Sequence, residues 1–115
     1  MTETIDGPRD RSAPALDRPY SSVLDRSARV LRVHGVVDEV SAPTFRDDLL
    51  DALESDGSLS VDLGDVDFFP SVAVGALVAG IRQADANGGT LDVLVVAGSV
   101  PHRVLSICHL PHRLA

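Results

Sequence analysis

Between Ser58 and Ala86 the hydrophobic period of the chain changes in one step. Leu59, Val61 and Leu63 alternate with Ser60 and Asp62, a period of two that fits a strand with one buried face. Phe68, Phe69 and Pro70 follow, then Ser71, and then Val72 to Ala86, which is apolar over most of a helical circumference and is expected to be largely buried. Asn87-Gly88-Gly89 ends that helix, because glycine tolerates the left-handed conformation a helix end requires. Thr90 to Val96 (TLDVLVV) then reads as a further strand. A strand–helix–strand connection of this kind returns parallel and right-handed. This one unit commits the chain to an α/β sheet.

The flanking segments repeat the unit. PYSSVL fits a short first strand and Asp25–Ser27 a turn, and Ala28 to Val37 (ARVLRVHGVV) reads as a strand. Gly35, near its end, marks a bulge or a close backbone approach. Ser41 is placed to cap a helix whose first turn holds Pro43. Ala42, Phe45, Leu49, Ala52 and Leu53 form its apolar stripe, and it ends near Asp56–Gly57. A turn is expected around Gly64–Asp65. Ser99 caps a last helix with Pro101 in its first turn, and Val104, Leu105 and Cys108 make its stripe. Residues 1–18 hold two prolines, several Asp and Arg, and little to bury, so they read as a disordered tail ahead of one domain over 19–115. The order is β(β)αβαβα: a small mixed, mostly parallel sheet with helices packed against it.

Charge narrows the function. The net charge is −7, all ten basic residues are Arg, and nothing clusters as a phosphate contact would need, which excludes a nucleic-acid partner. Asp38 to Asp67 holds ten acids and one base, Arg46, a solvated helix face or a docking surface for a basic partner. No run reaches the ~20 apolar residues a membrane span requires. With one cysteine, Cys108, read as a small buried hydrophobe, no internal disulfide can form. The expectation is a cytoplasmic protein.

Enzyme chemistry finds little support. F-P-S-V-A around Ser71 lacks both glycines of a nucleophile elbow. His102, His109 and His112 match no strong zinc spacing, and Gly88-Gly89 follows a helix instead of opening one as a phosphate loop would. No catalytic residue, metal or cofactor is expected. The chain reads as a binding module.

Three stretches, HGVVDEVSAPTFRDDL, SVDLGDVDFFPSVAVGAL and GGTLDVLVVAGSVPHRVLSICHL, resemble the STAS domain of bacterial anti-sigma factor antagonists over about three quarters of the chain. They are similar to the family's G-x-L-D-x-x-x-A-P-x-L-R-x-x-L, V-D-L-S-x-V-x-F-I-D-S-S-G-L-x-A-L and G-G-x-L-x-L patterns in the right order. The resemblance implies a protein that binds a kinase-type anti-sigma factor, a serine-protein kinase of the GHKL ATPase type, and so regulates sigma-dependent transcription. In the family the second hydroxyl of D-S-S-G is phosphorylated, which adds charge to a packed interface and releases the partner. Here Pro70 stands at the family's Asp, Ser71 at the first hydroxyl, Val72 at the phosphorylated position and Ala73 at the glycine, while Asp38 matches. The implied partner patch is Asp38, Pro70, Ser71, Val72 and Val74, with the phosphorylation switch lost at Val72 and Ser71 as the alternative phosphosite. Ser71 is otherwise expected to cap the helix. The second function implied by the family is an accessory subunit bracing the ATPase of a lipid-transporting ABC complex. Self-association is left open.

Overall fold

A computed structural model of the protein describes residues 18–54 and 58–115. The expected end of the first helix near Asp56–Gly57, and nearly all of the N-terminal tail, lie outside these residues. The elements are β1 (Ser21–Asp25), β2 (Val30–Val36), α1 (Ala42–Glu54), β3 (Leu59–Phe68), α2 (Ser71–Ala86), β4 (Leu91–Val95), α3 (Val100–Ile107) and β5 (Arg113–Leu114). The two-residue β5 is the one element the sequence pattern does not announce.

The strands lie side by side in chain order, β1 antiparallel to β2 and every later neighbour parallel. Since β2, β3, β4 and β5 step in one direction, right-handed crossovers put all three helices on the same face. Burial agrees. Leu31, Val33, Val61, Leu63, Val93 and Val95 are sealed beneath Phe45, Leu49, Leu53, Leu77 and Leu105 in one continuous core. Fully burying a side chain such as Phe45 contributes roughly 1.5–3 kcal/mol. Phe45 also meets Tyr20 and Phe69 edge-on, with centroids 6.2 and 6.0 Å apart. Residues between the core positions, among them Arg32, His34, Asp62 and Asp92, stand on a sheet face that no helix covers.

That face is tied together by its own charges. Arg32 pairs with Asp25, His34 Nδ1 lies 2.7 Å from Asp65, and Arg113 bonds Asp92. Arg18 bridges Asp65 (3.0 Å) and Asp67 (2.6 Å), while its carbonyl accepts the Val36 N–H at 3.0 Å. Arg18 is thus fastened to β2 and β3, one residue inside the segment that the sequence reads as tail. Gly35 explains the close approach there: at φ +84, a Cβ on it would sit 2.2 Å from the Pro19 carbonyl oxygen. The register of β2 against β3 shifts at Gly35/Val36, as the sequence anticipated.

Four expectations are corrected. No turn forms at Gly64–Asp65: β3 runs through it, and the irregularity is a register shift opposite Arg32/His34 with Asp62 Oδ1 accepting the Gly64 N–H at 2.8 Å. The second helix is only half sunk; Ala73, Ala76, Leu77, Gly80 and Ala84 are buried and the opposite side faces solvent. Cys108 is exposed, because α3 ends at Ile107 and His109 turns to φ 57 just where the stripe would have been covered. Ser71 is not a cap, for reasons given below. Ser99 does cap α3, accepting the His102 N–H at 3.3 Å.

Candidate partner-binding site

The loops that follow β2 and β3 leave the carboxyl ends of adjacent parallel strands, the place where α/β sheets present binding groups. Val36 stands opposite Phe68, and the Val37 N–H donates to the Phe68 carbonyl at 3.1 Å. The segment from Asp38 to Ser41 therefore lies beside the segment from Phe69 to Ser71.

Asp38 organises the first loop. Its Oδ1 accepts the N–H groups of Val40 (3.0 Å) and Ser41 (2.9 Å), and the Ser41 hydroxyl accepts the Asp38 N–H at 2.9 Å. These hydrogen bonds, those from Ser41 first, hold the Asp38 carboxyl below the usual carboxylate range. Ser41 sits at the N-cap position of α1, its carbonyl taking the Phe45 N–H at 2.9 Å, but its side chain bonds back into the loop. Val40, at the tip, is 87 % exposed.

In the second loop Pro70, not Ser71, occupies the N-cap of α2. Pro70 is extended (φ −77, ψ −178), its carbonyl accepts the N–H groups of Ala73 and Val74, and no side chain caps the terminus. Ser71 is the first helical residue, and its hydroxyl makes no hydrogen bond among the described residues. The stiff proline displaces the cap by one position, since its fixed φ and missing N–H suit the entry to the helix. Ser71 and Val72 are exposed, Val72 to 40 %, while Ala73 is sealed and Val74 packs partly against the core. Of the five residues in the expected patch, Pro70, Ser71 and Val72 share one helix end, Asp38 lies on the neighbouring loop, and Val74 is turned mainly inward.

Val72 also borders a groove of about 340 Å³ along the seam of α1 and α2, lined by Glu39, Ala42, Pro43, Arg46, Gly75, Ala76 and Ala79. Sequence reasoning missed this groove. The signal available was Gly75, a glycine inside a helix.

The histidines assemble no metal site: His102 Nδ1 accepts the Gly98 N–H, its ring meets that of His112 at 5.5 Å, and no group of three or more potential metal ligands occurs among the described residues. No helix among them is long and apolar enough to cross a membrane.

The sequence profile of the family described as "Mlab, STAS domain" matches residues 21–112, most of the chain and both loops of the site. The chain belongs to the STAS family. Several solved structures share its fold. An anti-sigma factor antagonist from Mycobacterium paratuberculosis superposes with a TM-score of 0.70 at 20% identity, covering 82% of this chain and 85% of its own. The anti-sigma factor antagonist SpoIIAA in its unphosphorylated form gives 0.70 at 20% identity, covering 83% and 88%. No curated protein matches significantly. At that identity the likeness is one of STAS architecture, and the work of this member has to be argued from its own residues.

Proposed function

We propose that this STAS protein is a non-enzymatic binding module of the anti-sigma factor antagonist type, acting in the cytoplasm on a kinase-type anti-sigma factor of the GHKL ATPase class. The β3–α2 junction docks the partner, with Pro70, Ser71, Val72 and the Asp38 loop at the contact, and sigma-dependent transcription follows from partner capture. The observation that carries this reading is Val72, an exposed hydrocarbon in the first turn of α2, which the sequence resemblance matches to the family's phosphorylated hydroxyl. Valine has no oxygen to accept a phosphoryl group, so capture is not released by modification at that position. An exposed apolar side chain at a helix start adds contact area to a docked complex.

Binding to each anti-sigma factor of the host, followed by incubation with ATP and intact-mass analysis, tests the reading. Tight binding with no mass increase is expected. A stoichiometric phosphate mapped to Ser71 would overturn the lost switch, and failure of every anti-sigma factor to bind would overturn the partner class.

A second reading keeps the fold and exchanges the partner: an accessory subunit bracing the ATPase of a lipid-transporting ABC complex. Val72 supports it as well, because a permanently docked brace needs no releasing hydroxyl. Co-purification from the host separates the two, through an ATPase and permease in one case and an anti-sigma factor in the other.

A further inference from the structure

We propose that the free edge of β1 takes an extended, arginine- or lysine-bearing segment of a partner protein as an added strand, with its cations laid into the groove between β1 and α1. This surface belongs to β1 and α1, not to the β3–α2 junction, and the inference stands whichever partner docks at that junction. The first observation is the edge itself. β1 heads the sheet, and among the described residues nothing pairs with its outer side. Alternate residues of such a strand leave their N–H and C=O groups open to another chain, and folded proteins blunt these edges with proline, bulges or very short strands. β5, at the other end of the sheet, is two residues long. β1 runs for five residues without proline, its register with β2 is unbroken, and Val23 on it is 57 % exposed.

The second observation is charge. A groove of about 630 Å³ runs beside that edge, lined by Ser22 and Leu24 of β1, by Arg26, and by Asp48, Asp51 and Glu54 of α1. Three carboxylates thus share the groove with one guanidinium. Asp48 accepts the hydroxyls of Tyr20 and Ser22. Asp51 and Glu54 are exposed, and their side chains make no ion pair or hydrogen bond among the described residues. Asp48 and Glu54, six residues apart, are separated by about 9 Å along the helix axis, and cations at i and i+2 of an added strand by about 7 Å. Two such cations fit one groove and complement its charge. Ser22 and Leu24 line the groove while Val23 pairs with Arg32 on the open sheet face, so the intervening residues of the added strand meet Val23 and are apolar. A second copy of this chain suits the edge poorly. Pairing β1 with its own copy continues the sheet and sets α1 beside α1, acids against acids.

The probe is a short fluorescein-labelled peptide alternating Arg and Val, beside a Glu/Val version and two N-methylated Arg/Val versions. One of these carries its methyls on the Arg amides, the other on the Val amides. Binding is read by anisotropy with the full chain, with its Asp51→Asn, Glu54→Gln double variant, and with Asp47→Asn, Asp85→Asn, which removes the same charge elsewhere. Only one parity of amide in an added strand faces β1, so one methylated peptide should lose binding and the other keep it. The Arg/Val peptide should weaken about tenfold in the groove variant and less than about twofold in the control, and the Glu/Val peptide should not bind. Amide hydrogen exchange at residues 21–25 should slow when the peptide is bound. The methylated peptides are read on the wild-type chain, so that arm is independent of how a variant folds. Absence of Arg/Val binding, equal binding by both methylated forms, or equal weakening in the two variants would overturn the proposal. So would a concentration-dependent dimer that the groove variant tightens, because a second copy would then hold the edge.

Discussion

The uncovered face of the sheet and the exposed crest of α1 are both rich in acids and differ in what those acids do. On the sheet, Asp25, Asp65, Asp67 and Asp92 are each met by an arginine, and β1 to β5 present a surface already satisfied by its own partners. Along the crest of α1, Asp47, Asp51 and Glu54 are exposed and make no ion pair among the described residues. A charged surface is informative through its pairing more than through its sign. Net charge alone treats the two regions as one.

Changing the apolar rim should have the largest effect on binding. Val72→Asp sets a carboxylate into the proposed contact and is expected to weaken partner binding 10- to 100-fold, about 1.4–2.7 kcal/mol, with little change in melting temperature because Val72 is exposed. Val72→Thr should bind and become a substrate for the kinase, read as one added phosphate. Loss of stability in Val72→Asp without a change in affinity would break the contrast.

The two glycines sharpen it next. Gly35→Ala forces a Cβ against the Pro19 carbonyl at positive φ, and a loss of roughly 2–3 kcal/mol in urea unfolding is expected. Gly75→Ala, in open space, should instead gain about 0.5–1 kcal/mol. The opposite signs test whether Gly75 is free of constraint within the chain.

Smaller still is the sheet-face latch. Arg18 first, then His34, hold the Asp65 carboxyl below its usual range. A depressed carboxylate pKa stabilises the fold above the unfolded value near 4 and loses that contribution as pH falls through the folded value. Arg18→Ala should therefore be slightly less stable at neutral pH, and its difference from wild type should shrink below about pH 4. Smallest is Asp47→Asn, an exposed change expected to alter stability by less than about 0.5 kcal/mol while slowing association with the partner.

Much of this was readable in the chain. Alternation at Leu59–Leu63, the spacing of Phe45 and Leu49, and Ser99 before Pro101 fixed strands, helices and a cap, because each obeys one local rule. The misreadings arise where two rules compete. Gly64-Asp65 carries turn chemistry, yet pairing with β2 on one side and the Asp62 carboxylate on the other keep it extended. Ser71 is a good cap by type, but Pro70 takes the position. The second helix is apolar enough to be buried, and only the sheet's strand order decides that no further layer exists to bury its outer side. Cys108 follows its stripe by spacing and escapes it by one turn of backbone. For the candidate site, the likeness to the family pointed to the β3–α2 junction, while the seam groove depends on contacts between segments thirty residues apart.

Because successive strands never reverse their stepping, each of the three strand-to-helix junctions opens onto a single rim of the molecule. Insertions or substitutions at any of them alter the same edge and leave the buried hydrocarbon untouched. Such an architecture lets a lineage trade one binding companion for another by editing a few surface loops, with the load-carrying interior inherited unchanged.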